Sequence, residues 1–363
     1  MDGRFVETAS LRVHVREAGE GDPVVLLHGF PQDSWMWRHQ MAALSDRWRC
    51  IAPDTRGYGL TDKPRIRVTR DLLARDVVEL LDALGLERAA LVGHDWGGII
   101  ACATAFRYPD RISRLGLVDT LTSVWIPWGI HGWWFKDEPR AERFFEQHGS
   151  EFIGSVFGGR PRTYTGPPES PWAPVAGSEG SAGSEARAAM ADWDPSRYWT
   201  EADVDHYVEV FDHPDVWFHA VDYYRHALPF HRELPDPTAR HGVRHELLTS
   251  PTVAAQWNHE GGLLFGHPDY PWFPVFAPED RHVTYDGPTM YVYSPFLVPG
   301  AFAGLEPGAL PPDDVFPASD PYCESFTRHF PHLRTRGART GHFIPEEDPA
   351  RTTACLVELL TAD

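Results

Sequence analysis

One aspartate stands where a nucleophile would need small neighbours. Ala89-Ala90-Leu91-Val92-Gly93-His94-Asp95-Trp96-Gly97-Gly98-Ile99 reads as a strand, a tight turn and a helix, with a glycine two residues before and two after Asp95. A nucleophile on such a turn requires an unusual backbone conformation that only small flanking residues accommodate, the logic of G-x-S-x-G with Asp in place of Ser. The turn would then project a carboxylate. The plainer reading is an Asp that caps the helix starting at Trp96. His28-Gly29-Phe30-Pro31 follows the apolar run Val24–Leu27 directly and places the Phe30 N–H near the same sheet edge. With the Trp96 N–H it would form a two-donor cradle for an oxyanion on a tetrahedral carbon. The alternative for this segment is an ordinary strand-to-helix turn.

The elements that would position these residues alternate through the first third of the chain. Apolar runs Leu11–Arg16, Val24–Leu27, Arg49–Ala52, Ala89–Val92 and Leu115–Val118 are separated by helical patterns over Asp71–Leu84 and Trp96–Tyr108. Continuous apolar strands between helices describe a sheet buried on both faces, which gives an α/β class with a mostly parallel sheet. After Asp119 the pattern changes to clustered tryptophans, Trp125, Trp128, Trp133 and Trp134, and then to a Pro-, Gly- and Ser-rich stretch near 161–190 expected to be a flexible loop. Helical patterning returns over Asp203–Phe211 and Val216–Ala227, and residues 230–286 carry no readable periodicity. Strand-like runs resume at Thr289–Tyr293 and Leu333–Arg336, before an amphipathic helix over Pro349–Leu360. One α/β domain is thus interrupted by a large insertion.

Composition narrows the function. The 363 residues hold 33 Lys+Arg against 52 Asp+Glu, a net charge of −19, which repels nucleic acid and anionic membranes. Cys50, Cys102, Cys323 and Cys355 lack C-x-x-C spacing and read as thiols of a reducing compartment. The opening residues include early acids and no long apolar stretch, so a cytoplasmic enzyme is expected. No G-x-G-x-x-G after a strand, P-loop or metal-ligand spacing is present, so no cofactor and no metal are expected, and the scattered histidines read as surface or insertion residues. The expected partner is a small-molecule substrate.

Four segments carry a resemblance. His28-Gly29-Phe30-Pro31, Ala52-Pro53-Asp54-Thr55-Arg56-Gly57-Tyr58-Gly59, Gly93-His94-Asp95-Trp96-Gly97-Gly98 and Gly341-His342-Phe343 resemble the epoxide hydrolase and haloalkane dehalogenase branch of the α/β-hydrolases. The resemblance is strong over residues 1–120, returns for about the last 45 and is weak between. It implies an α/β-hydrolase fold with a mainly helical cap: core 1–120, cap 121–286 and core 287–363. It further implies Asp95 as nucleophile, His342 as base, and the Phe30 and Trp96 N–H groups as oxyanion hole. The acid orienting His342 follows the sixth strand or the seventh in such proteins. Asp119 fits the first location and is the expected acid; Asp313 or Asp314 would serve the second.

The same resemblance bears on the electrophile. Val221-Asp222-Tyr223-Tyr224-Arg225 looks like the segment carrying the second cap tyrosine of epoxide hydrolases, which implies Tyr224 as proton donor to the opening epoxide. A tyrosine packing at a cap interface is the alternative. The segment matching the first cap tyrosine, His131-Gly132-Trp133-Trp134-Phe135, has no Tyr; His131, Trp133 or Trp134 would donate an N–H instead. Trp133, Trp134 and Tyr223 are expected to line the substrate site. Haloalkane dehalogenases use a Trp at the position of Trp96 together with an Asn at the position of Phe30 or a cap Trp, a role Trp133 could take here. Relatives acting on fluoroacetate carry Arg where Trp96 and Ile99 stand, which disfavours a haloacid. The expectation is hydrolysis of an apolar, bulky epoxide through an Asp95 ester. Dehalogenation of a neutral alkyl halide is the enzymatic alternative, and a ligand binder that has lost catalysis is the alternative of another class.

Overall fold

A single sheet of eight strands runs through the protein, a computed structural model of which describes residues 3–122, 135, 139–157, 194, 197–228, 280, 282–306, 308–317 and 321–362. The strands are β1 (Gly3–Glu7), β2 (Arg12–Ala18), β3 (Asp22–Leu27), β4 (Trp48–Pro53), β5 (Ala89–His94), β6 (Ile112–Val118), β7 (Thr289–Tyr293) and β8 (Leu333–Gly337). Their spatial order is β1-β2-β4-β3-β5-β6-β7-β8. The β1–β2 and β2–β4 pairs are antiparallel and all pairs from β4–β3 onward are parallel. The helices are α1 (Arg38–Leu44), α2 (Arg70–Ala83), α3 (Trp96–Arg107), α4 (Arg140–Phe157), α5 (Glu201–Phe211), α6 (Pro214–Asp222), α7 (Pro321–His329), α8 (Ile344–Glu347) and α9 (Pro349–Thr361).

The apolar runs form strands because each places side chains on alternating faces and both faces are covered. Val25 and Leu27 of β3 join the core shared with α2 and α3. Val24 and Leu26 point the other way, into a second core containing Met41 and Leu44 of α1 and Leu356 and Leu359 of α9. A run of four apolar residues therefore serves two cores at once.

The expected α/β class and mostly parallel sheet are what the structure has, with shifts at the ends. The Leu11–Arg16 run forms β2 over Arg12–Ala18, and Asp71–Leu84 forms α2 over Arg70–Ala83. The helical pattern at Val216–Ala227 is α-helical only to Asp222 and continues as a π-turn over Tyr223–Ala227. Five elements lie outside the sequence reading: β1, α1, α4, α7 and α8. Of β1 only Val6 is buried, so its sequence lacks an apolar run. The loop expected near 161–190 and residues 230–279 lie outside the described residues.

The helices α4, α5 and α6 fall between core strands β6 and β7, and we retain 121–286 as the proposed cap on that ground. Thr200 starts α5 with a reciprocal capping box, its hydroxyl accepting from the Asp203 N–H while the Asp203 carboxylate accepts from the Thr200 N–H. Phe145 of α4 stacks on Trp217 of α6 at 4.0 Å. This helical layer is tied to the core by polar contacts: Arg38 to Asp203 at 2.9 Å, His206 to Asp33 at 3.0 Å, and the Val68 N–H to the Asp222 carboxylate at 2.6 Å.

Candidate active site

The chain leaves β5 at His94 and turns at Asp95 with φ 50° and ψ −120° before entering α3. A non-glycine residue there carries strain of about 1–3 kcal/mol, which the surrounding structure must impose. Its neighbours show why small residues stand on either side. A Cβ on Gly93 would lie 2.1 Å from the Gly97 carbonyl oxygen, and one on Gly97 would lie 2.2 Å from that of Leu27. A Cβ on Gly29 would meet the Asp95 Cβ at 2.4 Å, so the turn after β3 approaches the carboxylate only because it is glycine. The Thr120 hydroxyl donates to the Asp95 carbonyl at 2.5 Å and fixes the elbow from β6.

The carboxylate projects from this turn with its two oxygens in different surroundings. Oδ1 accepts the Phe30 N–H at 2.8 Å, and Oδ2 faces His342 Nε2 at 3.4 Å. On the far side of the imidazole, Nδ1 donates to Asp119 Oδ2 at 2.8 Å. Asp119 is fully buried, whereas His342 and Asp95 keep 18% and 19% of their side-chain surface open. Asp119 also accepts the Ser294 N–H at 2.8 Å and the Ser294 hydroxyl at 2.9 Å. These groups sit at the carboxyl ends of β3, β5, β6, β7 and β8, where open α/β sheets place their sites.

The electrostatics follow from this stacking of two carboxylates about one ring. Burial works against a charged imidazole, but Asp119 and then Asp95 outweigh it and lift His342 to about 10. Burial likewise pushes Asp95 upward, yet His342 and the Phe30 N–H bring it below its ordinary value. Asp119 lies above its ordinary value because burial dominates its hydrogen bonds. The resting site is thus an imidazolium held between two carboxylates. His94 is driven the other way, to about 3, first by burial and then by the His342 charge, and its Nε2–H donates to the His342 carbonyl at 2.9 Å.

A stability prediction follows. His342 has a raised folded value, so its ion pairs stabilise the fold fully below about 6.5, and that contribution is lost as pH climbs through about 10. Scanning calorimetry is expected to show the wild-type melting temperature falling across this interval more steeply than that of His342→Gln. Equal slopes would mean that the imidazole does not bind its proton more tightly in the folded protein.

Two further donor groups lie near the same carboxylate. Trp96 is the first residue of α3, so its N–H has no partner within the helix and lies beside Asp95. The Tyr224 hydroxyl, in the π-turn, accepts from the Trp96 indole N–H, yet burial first and then the Asp95 charge raise it well above its ordinary value. It is therefore a protonated phenol beside an anion. Its ring packs against Phe30 at 5.8 Å, Trp96 at 5.1 Å and Phe135 at 4.5 Å, so the wall around the carboxylate is aromatic. A π-turn inserts a residue into a helix and re-aims the side chains beyond it, a feature common at functional sites.

The structure brings Asp95, His342, Asp119, Phe30, Trp96 and Tyr224 together. Tyr223 packs edge-on against Trp96 at 5.2 Å, while its hydroxyl donates to the Arg56 carbonyl at 2.8 Å and anchors the π-turn to the core. His131, Trp133 and Trp134 lie outside the described residues. Asp313 and Asp314 are engaged elsewhere, with Arg336 at 3.5 and 2.8 Å, and Asp314 also accepts the Thr335 N–H. Ser294 and Thr120 were missed by sequence reasoning. Their only sequence signal is a hydroxyl immediately or shortly after a core strand. Among the described residues no group of three or more His, Cys, Asp or Glu could hold a metal ion, and no helix is long and apolar enough to cross a membrane.

Comparison with known proteins adds to this geometry. Residues 22–147 match the family described as the alpha/beta hydrolase fold. Epoxide hydrolase 3 of Siraitia grosvenorii is 46% identical over 113 residues, covering 30% of this chain and 36% of that protein. Haloalkane dehalogenase 2 of Mycobacterium bovis is 38% identical over 120 residues, 33% of this chain and 42% of its own length. The matched stretch thus spans well under half of either relative. A crystal structure of an epoxide hydrolase from Vigna radiata superposes with a TM-score of 0.63 at 22% identity, covering 99% of this chain and 97% of that one, a likeness of fold.

Proposed function

We propose that this chain is an α/β-hydrolase that opens apolar epoxides to diols through an alkyl ester on Asp95. The observation that carries the reading is the division of labour at one carboxylate: Phe30 N–H on Oδ1, His342 on Oδ2, and Asp119 behind the imidazole. Oδ2 attacks an epoxide carbon in line with the C–O bond, which breaks as the ester forms. The departing alkoxide takes the Tyr224 proton, and the proton that His342 held at rest replaces it. Esterification removes the Asp95 charge, one of the two that raise His342, so the imidazole becomes neutral and able to act as a base. It then takes a proton from water, whose oxygen attacks the ester carbonyl. The tetrahedral oxyanion on Oδ1 is stabilised by the N–H groups of Phe30 and Trp96. Collapse of this intermediate breaks the ester, and the diol oxygen takes the carboxyl proton, restoring the resting ion pair.

The aromatic wall of Phe30, Phe135, Trp96 and Tyr224 supports an apolar substrate. Dehalogenation by the same ester chemistry is the second reading, favoured by the Mycobacterium bovis relative and by Trp96, an indole donor of the kind a halide requires. Against it, that indole is bonded to the Tyr224 hydroxyl.

A matched panel of aryl and alkyl epoxides and haloalkanes tests the assignment. The expected result is diol from the bulkier epoxides with no halide released. Halide release without diol would transfer the assignment to dehalogenase, and binding without either product would point to a non-catalytic binder. Tyr224→Phe is expected to lower epoxide kcat by about 100-fold, the scale of one lost general acid, with the protein still folded. An unchanged kcat would restrict Tyr224 to packing.

A further inference from the structure

We infer that Glu347 is a positioning residue that holds the loop bearing His342 at the distance the ester-hydrolysis step requires. His342 lies between β8 and α8, outside the backbone ladders of both. The Gly341 N–H donates to Glu347 Oε2 at 2.5 Å and the Phe343 N–H donates to Oε1 at 3.0 Å. The two oxygens of one buried carboxylate thus grip the peptide N–H groups on either side of the base. The loop is closed further by the Glu346 and Glu347 N–H groups, both donating to the Phe343 carbonyl at 3.0 Å. The remaining restraints on His342 are its Nδ1 bond to Asp119 and its carbonyl bond from His94. With the Thr340 hydroxyl, which donates to the Gly341 carbonyl at 3.0 Å, these hold the imidazole and the carbonyl groups of the loop, and Glu347 holds the two N–H groups that none of them engages.

Only a carboxylate does this. Two N–H donors face it, and an amide of the same shape offers one oxygen and one NH2, so one donor would meet another donor. The loop would have to shift, and displacement of a catalytic group by about 1 Å costs on the order of 100-fold. This inference rests on the two-step ester reading above, in which attack by Asp95 does not use His342 as a base and ester hydrolysis does.

Rapid-quench mass spectrometry of Glu347→Gln with an epoxide that the wild type turns over provides the test. The expected result is formation of the alkyl-enzyme within about 3-fold of the wild-type rate, hydrolysis slowed by about 10- to 100-fold, and hence a larger steady-state fraction of ester than in the wild type. Both steps falling in proportion, or a lowered melting temperature with unchanged partitioning, would overturn the inference and leave Glu347 as a stabilising residue alone. If Glu347→Gln fails to fold, Glu347→Asp is measured in the same way, its shorter carboxylate reaching fewer of the two donors. His342→Gln run alongside separates the two claims. No ester in His342→Gln removes the ester reading itself, whereas ester in His342→Gln but none in the Glu347 variant removes only this inference.

Discussion

Mixed with an epoxide that the wild type hydrolyses, the His342→Gln protein gains the whole mass of that epoxide on the peptide containing Asp95, and retains it. Oδ1 is held by the Phe30 N–H, a backbone donor that the substitution does not touch, so the nucleophile keeps its aim. On the other side the amide of Gln can still donate to Asp119, as Nδ1 does at 2.8 Å, but has no basic nitrogen with which to take a proton from water. Hydrolysis is expected to slow by about 10²- to 10⁴-fold, the scale of a lost general base, while ester formation continues to about one adduct per chain. The substitution also removes the cation that helps hold Asp95 below its ordinary value, so adduct formation should shift toward higher pH than in the wild type. Peptide mass spectrometry reads the result. An adduct equal to a haloalkane minus its halogen, with none from epoxides, would assign the protein to dehalogenation. No adduct from either class, in a folded protein that binds the same compounds, would remove the carboxylate-ester mechanism.

The parts of this site that the sequence declared are those with a steric signature. Gly93, Gly97 and Gly29 are glycines because a Cβ at each would lie within 2.4 Å of backbone or of the Asp95 Cβ, so the local sequence around the nucleophile was constrained by contacts visible in its own spacing. The parallel strands were similarly legible, since β3 and β5 serve both cores and must be apolar throughout. Elements with a single covered face or a mixed environment were not. The strand β1 buries only Val6, and the helix α1 buries Gln40 beside Met41 and Leu44, its amide donating to the Pro345 carbonyl at 2.8 Å. Such polar burial erases the periodic signal. Tyr223 and Tyr224 illustrate the limit differently. They are adjacent and identical in type, yet the π-turn sends one hydroxyl to the Arg56 carbonyl and the other to Trp96 beside Asp95. No rule of helical or strand spacing separates them, because the turn that does so is a tertiary outcome. Asp119 directly follows its strand, whereas Asp313 and Asp314 pair with Arg336 of β8, a partner no local sequence pattern names.

Asp95→Ala and Asp95→Gly, compared with each other, should both lose at least about 10⁴-fold in turnover, yet differ in stability. Both delete the nucleophile, the acceptor for the Phe30 N–H, and one of the two carboxylates that hold the His342 proton, so those losses cancel in the comparison. What remains is the backbone at φ 50° and ψ −120°, a conformation costly for any residue with a Cβ and readily adopted by glycine. Alanine retains the strain and glycine releases it, at the cost of more chain entropy lost on folding. The net expectation is that the glycine variant is the more stable by about 1 kcal/mol, measured as a difference in urea unfolding midpoint at common slope. Equal stabilities, or a more stable alanine variant, would mean that the elbow is not strained and that the flanking glycines answer to packing alone. The predicted order would place the strain in the nucleophile itself: the fold bears a destabilised turn at the one position where a carboxylate has to stand clear of the sheet and meet an electrophile in line.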